Sequence, residues 1–333
     1  MGTTVQRKYT LDLLKVLLCV GIVVRHAELV GMVDRSAAFA GFNRGMMLFT
    51  ELCVPMFFVI SGYLFFLNVP EKPNGRYFVN KIRSRVFTLL VPYLIANAIA
   101  FLCYWLAHRF APDMIAGFFG ENWKHPLFIF WTGPINLSLW FIRDLMYSIL
   151  LSPVIYFFVR YTRIWGVIGI GLLWFFQLLP LWINFCFILG AWAAVHRVDA
   201  ENLCRKTGPW FLLIYICAFI VAYPVKSAHL IALVLLAGLP ICLYAASRLM
   251  SVFKWNIPVG WQAWCFFMYL YHYIPEIFFK KVLNQFLDPG SFWSLMLVFV
   301  LVSVLTLVSV TGLFWVMKKW LPRTTRVLVG GKL

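Results

Sequence analysis

Long apolar runs recur along the chain, separated by short polar segments rich in Lys and Arg. A helix that crosses a bilayer core needs about 17–25 mostly apolar residues. Ten segments approach or meet that pattern, near 9–31, 45–67, 86–107, 136–159, 164–179, 181–195, 209–225, 230–248, 259–279 and 291–317. The fifth and sixth are short and separated only by Leu179-Pro180-Leu181, so residues 164–195 form either two full spans or one re-entrant hairpin. The pattern predicts an all-α, polytopic integral membrane bundle of about ten transmembrane helices. Residues 1–333 then form one transmembrane domain with no separate soluble domain, because the longest connection, about 108–135, is too short to fold alone. Its Trp123, Phe128, Phe130 and Trp131 suit a segment lying at the outer interface. The first run is followed by polar residues rather than a small-residue cleavage site, so it is expected to stay as a signal anchor.

Loop charges set an orientation. Arg7, Lys8, Lys72, Arg76, Lys81, Arg83, Arg85, Arg160, Arg163, Arg197, Arg205, Lys206, Arg248, Lys254, Lys318, Lys319, Arg323, Arg326 and Lys332 fall on one side. Only Arg35, Arg44, Arg109, Lys124, Lys226, Lys280 and Lys281 fall on the other. The positive-inside rule makes the richer side cytoplasmic, both termini included, and an even span count follows. The expected location is a multi-pass protein of the inner (plasma) membrane, with the lipid bilayer as its first partner. Composition agrees, at 63% hydrophobic and 12% charged residues, about half the charge of a water-soluble domain. The net charge of +17 does not indicate nucleic acid, since the cations sit in patches between apolar runs rather than along one stripe. The eight cysteines show no C-x-x-C pairing, read as apolar packing residues, and give no metal-ligand spacing.

Ionisable residues inside the apolar runs carry the chemistry, because each is costly at membrane depth. Lys15 and His26 are eleven residues apart in the first run, about three helical turns, so they share a face with about 16 Å between them. With the amino terminus inside, Lys15 lies near the cytoplasmic face, while Arg25, His26 and Glu28 lie in the outer third. Glu51, Arg143, Asp144, His272 and Glu276 reach a similar depth from three other spans, giving one polar layer. Arg25 is a candidate salt-bridge partner for Glu51 or Asp144. Pro55, Pro92, Pro153, Pro224, Pro240 and Pro275 fall inside spans and predict kinks around a cavity.

Five motifs appear in order: LDLLK followed by His26, then VPMFFVISGYL, RSRVFTLLVPY, LWFIRDL and YLYH. Together the set resembles acyltransferase family 3, polytopic membrane enzymes that O-acylate glycans, and the resemblance covers essentially the whole chain. It implies transfer of an acyl group, commonly acetyl, from cytoplasmic acyl-CoA to a hydroxyl of an extracytoplasmic or lipid-linked glycan. No permanently bound cofactor is implied; acetyl-CoA is the donor substrate. By matching position, His26 resembles the catalytic histidine and Lys15 the basic residue of its motif. Arg85 resembles the first arginine of the R-x-x-R donor motif, whose second position here is Thr88.

The residues support such chemistry. Lys72, Arg76, Lys81, Arg83 and Arg85 form a cytoplasmic basic cluster suited to the phosphates of coenzyme A. Neutral His26 would act as general base on the acceptor hydroxyl. Glu51, Asp144 or Glu276 would orient it, and Arg25 or Arg143 would stabilise the oxyanion. Ser61, beside Gly62, falls too far towards the cytoplasm to pair with His26, and is placed with Lys15, Lys81, Arg83 and Arg85 on the donor side. His272 is read as a structural or acceptor-side histidine rather than a second base. A proton-coupled transporter using the buried His and carboxylate layer is the alternative function. A membrane glycosyltransferase is a weaker rival, since Asp34 stands alone in the first outer loop.

Overall fold

The computed structural model describes residues 9–29, 36–110, 133–180, 182–225, 227–253, 258, 260–286, 291–331 and 333. Arg7, Lys8, Asp34, Arg35, Trp123, Lys124, Phe128, Phe130, Trp131, Leu181, Lys226, Lys254 and Lys332 lie outside them. Among the described residues every regular element is helical. In chain order the helices are α1 (Tyr9–His26), α2 (Ala37–Thr50), α3 (Cys53–Phe66), α4 (Gly75–Arg85), α5 (Val91–Phe110), α6 (Trp140–Leu150) and α7 (Ser152–Phe175). There follow α8 (Trp182–Val195), α9 (Ala200–Ala222), α10 (Ala228–Phe253), α11 (Trp261–Tyr271), α12 (Tyr273–Phe286), α13 (Phe292–Trp320) and α14 (Pro322–Leu328). A π-helical turn, Val86–Leu90, joins α4 to α5, and a 3-10 turn, Leu137–Leu139, precedes α6.

Proline chemistry explains where the helices part. Proline has no N–H to give the carbonyl four residues back. Pro55 releases Glu51, and α2 and α3 part at Glu51-Leu52; Pro153 releases Ile149, and α6 and α7 part at Leu151. Pro275 releases Tyr271, and the chain bends at His272 between α11 and α12. Pro92 releases Thr88, in the middle of the π-helical turn. Three expected kinks are thus breaks and a fourth is a π turn. Pro240 stays inside α10, and Pro224 falls in the turn after α9.

Six helical stretches among the described residues are long and apolar enough to cross a membrane: Ala37–Phe66, Gly75–Phe110, Ser152–Phe175, Ala200–Ala222, Ala228–Phe253 and Phe292–Trp320. The other expected spans are shorter or more charged. Helix α8 has 14 residues and α11 has 11, about 21 and 17 Å of rise against a core of about 30 Å. Helix α1 carries Asp12, Lys15 and Arg25 within 18 residues. The expected loop between the fourth and fifth spans is a sharp break inside α7, where Arg163 takes φ 55°.

The chain packs as two compact units. The first draws on Met1–Gly21, Arg44–Gly75 and Leu151–Gln262. Its closest helix pair is α3 with α8: a Cβ at Gly62 would overlap the Phe187 carbonyl, and one at Gly190 the Val59 carbonyl. The close approach expected of Ser61-Gly62 is therefore made by Gly62. The second unit draws on Ile22–Asn43, Arg76–Leu150 and Ala263–Leu333. There α12 packs on α13, Phe267 meets Phe314 at 5.4 Å between centroids, and Trp264 Nε1 donates to Thr311 Oγ1 at 3.0 Å. Helix α14 packs against α5. The following Gly330, at φ 62°, lies on the Thr88 carbonyl that Pro92 releases, where a Cβ would overlap it.

Candidate active site

His26 is the last residue of α1, half-buried, in the second unit. The terminal carbonyls of a helix need donors from outside it and favour cations. Lys280 of α12 supplies both, its Nζ donating to the His26 carbonyl oxygen. The His26 imidazole faces the His272 ring at 5.3 Å between centroids, tilted by 43°. It meets the Tyr273 ring edge-on at 5.5 Å. Among the described residues no carboxylate is hydrogen-bonded to the His26 ring.

His272 is fully buried at the break between α11 and α12. Its Nδ1 lies 3.0 Å from both the Met268 and Tyr269 carbonyl oxygens. Carbonyls only accept, so Nδ1 carries the proton and the neutral ring offers a lone pair at Nε2. Nε2 is buried with no hydrogen-bond partner among the described residues. One turn further on, fully buried Glu276 pairs with Lys280 at 3.5 Å. Lys280 therefore joins a buried carboxylate to the end of the helix that carries His26.

A network of uncharged polar groups holds the His272 break. Asn136 Nδ2 donates to the Leu270 carbonyl at 3.1 Å, while its Oδ1 accepts from Ser138 N at 3.2 Å and Ser138 Oγ at 2.7 Å. Tyr269 OH donates to the Ser138 carbonyl. Asn97 Oδ1 accepts from Ile135 N at 2.8 Å, and its Nδ2 donates to the Tyr93 carbonyl at 2.9 Å. Helices α5 and α11 are thereby tied to the turn that starts α6. The sequence offered a faint signal for Asn136, an N-cap residue before the turn, and none for the partners of Asn97.

Six of the nine expected site residues lie in this unit: Arg25, His26, Lys81, Arg83, Arg85 and Asp144. Arg25 is half-buried in the last turn of α1. Asp144 pairs with its neighbour Arg143, Nε to Oδ1 at 2.8 Å, rather than with Arg25. Adjacency along the chain explains the difference, since no second helix has to be recruited to neutralise the carboxylate. Lys15, Glu51 and Ser61 belong to the first unit. Lys15 pairs with Asp12 at 3.3 Å, and Asp12 also accepts from Gln262 Nε2 at 3.0 Å. Glu51 is half-buried at the break between α2 and α3, and Ser61 is half-buried on α3.

The cations expected on the donor side differ in setting. Arg83 is exposed. Lys81 is half-buried with Nζ 5.0 Å from the centre of the Tyr77 ring. Arg85 lines a cavity of about 220 Å³ with Val86, Leu90, Met146, Tyr147 and Leu150. This cavity offers one guanidinium at the edge of an apolar wall, a combination suited to an anionic molecule with an apolar arm.

The family model for acyltransferase family 3, described as an acyltransferase domain, matches residues 8–315. Among curated proteins the chain is similar to the succinoglycan biosynthesis protein ExoH of Rhizobium meliloti (strain 1021), 29% identical over 224 residues. That alignment covers 60% of this chain and 57% of the relative, so the chain spans little more than half the relative's length. No solved structure matches. The chain belongs to acyltransferase family 3.

Proposed function

We propose that this member of acyltransferase family 3 is an acyl-CoA-dependent O-acyltransferase of the inner membrane. It moves an acyl group, acetyl in the simplest case, from cytoplasmic acyl-CoA to a hydroxyl of an extracytoplasmic or lipid-linked glycan. The family supports acyl transfer, and the part of the relative ExoH in succinoglycan biosynthesis supports a polysaccharide acceptor. Ten crossings with cytoplasmic termini, read from the loop cations, belong to the same proposal.

One observation carries the assignment of the base. His26 is half-buried at the end of α1, anchored through its backbone by Lys280, while its ring makes no hydrogen bond among the described residues. A base fixed by its backbone with a free ring nitrogen is poised to bind a substrate proton. The acceptor hydroxyl gives its proton to neutral His26 as the oxygen attacks the thioester carbonyl carbon. The carbon–sulfur bond then breaks, and the departing thiolate takes the proton back from His26, leaving the ester and free coenzyme A. Arg85 holds a phosphate of the donor at its cavity, supported by Lys81. Exposed Arg83 adds a weaker, screened attraction.

The test supplies labelled acetyl-CoA to membranes containing the protein and its glycan acceptor, then measures alkali-labile acetate on the glycan. CoA-dependent labelling is expected. Solute uptake driven by a pH gradient, without any labelling, would assign the buried histidines to transport instead.

A further inference from the structure

We propose that His272 is the positioning residue of His26, filling the role that an orienting carboxylate fills in a catalytic triad. The inference rests on the acyl-transfer function proposed above. Four observations meet at this residue. Its Nδ1 is committed to two carbonyls of its own chain, which fixes the Nδ1–H tautomer and directs the Nε2 lone pair away from that backbone. Nε2 is buried and unpartnered among the described residues, a state that costs stability rather than adding to it. The nearest ring is that of His26, at 5.3 Å between centroids. That separation is what one N–H···N hydrogen bond of roughly 3 Å between two imidazoles requires once both ring radii are added.

Lys280 is held by Glu276 and the His26 carbonyl, and the Tyr273 ring packs edge-on against His26. A small rotation of the His26 ring brings its N–H onto His272 Nε2, the kind of tightening that substrate binding produces in catalytic hydrogen bonds. The bond fixes which nitrogen of His26 is the base. When His26 takes the acceptor proton, the same bond shares the new positive charge with His272.

Among the described residues, the charged and titratable groups near the pair are Arg25 on α1, Glu28 just beyond it, Tyr104 on α5, Tyr269 and Tyr271 on α11, and Tyr273, Glu276 and Lys280 on α12. Arg25 and Lys280 oppose a second positive charge, so the two rings hold one excess proton between them. That proton is the one received from the acceptor hydroxyl and returned to the thiolate, so the pair is unchanged over the cycle.

The experiment measures acetyl transfer at saturating and limiting acetyl-CoA, across pH, for wild type, His26→Ala and His272→Gln at equal expression. A loss of about 100-fold or more in kcat for His272→Gln, with KM for acetyl-CoA within threefold of wild type and a changed pH profile, is expected. Activity within threefold of wild type and an unchanged pH profile for His272→Gln, alongside an inactive His26→Ala, would overturn the role of His272 and leave the acyltransferase function standing. Absence of CoA-dependent transfer by wild type would overturn both. If His272→Gln does not fold, wild type carrying ¹⁵N-histidine decides the matter by magnetic resonance in lipid. A His272 ring protonated at Nδ1, with Nε2 accepting a hydrogen bond, supports the proposal; a ring protonated at Nε2 overturns it.

Discussion

Lys280→Met is the perturbation with the widest consequences, because one ammonium serves two buried groups. Its side chain is 15% exposed and that of Glu276 only 1% exposed, with 3.5 Å between them. Removing one member of a buried ion pair costs about 3–5 kcal/mol, mostly because the remaining charge is stranded. The charge-assisted bond from Lys280 to the His26 carbonyl is worth about 1.5–3 kcal/mol of that total. Lys280→Met combined with Glu276→Leu removes the stranded charge, so it should recover about 2 kcal/mol and leave the loss of the cap. Catalysis should not recover with it. Without its cap the end of α1 is free to shift, and a displacement on the order of 1 Å at a catalytic group costs about 100-fold. Denaturant midpoints of the purified protein in detergent give the stabilities, and acetyl transfer in membranes gives the activities. A single variant that keeps its midpoint and full activity would refute the reasoning, as would a double variant no more stable than the single.

Three further outcomes follow from the geometry. Arg85→Ala should raise the KM for acetyl-CoA at least tenfold, whereas exposed Arg83→Ala should change it less than threefold; equal effects would remove the cavity from the donor site. Gly62→Ala and Gly190→Ala should each cost about 1–3 kcal/mol by forcing α3 and α8 apart, while Ser61→Ala should leave the melting temperature nearly unchanged. Gly330→Ala meets both a left-handed φ and the Thr88 carbonyl. It should undock the segment after α14 and speed its proteolysis; unchanged proteolysis would show that the contact with the π-helical turn is dispensable.

Much of the helical plan was legible because membrane-length apolar runs leave few alternatives to a helix. The prolines were legible too, yet as kinks rather than breaks. Whether a freed carbonyl bends a helix or ends it depends on what else can satisfy that carbonyl, which the sequence does not state. His26 stood out because a titratable residue in an apolar run is costly. Lys280 did not, since counting loop cations cannot separate a solvated lysine from one buried against a helix end. Its spacing of four from Glu276 was the available clue. The sequence singles out His272, but its tautomer and its closeness to His26 depend on a contact between residues 246 positions apart in sequence. Asn97 and Asn136 carry no charge, and their partners lie 38 and 134 residues away. Depth alone suggests a partner for Asp144 on another helix, whereas the fold pairs it with the residue beside it.

The most direct measurement compares wild type with His26→Ala at equal expression, in membranes given labelled acetyl-CoA and the glycan acceptor. Alkali-labile acetate should accumulate on the glycan with wild type and fall by at least 100-fold with His26→Ala. Equal labelling by the two proteins would contradict the assignment of His26 as the base.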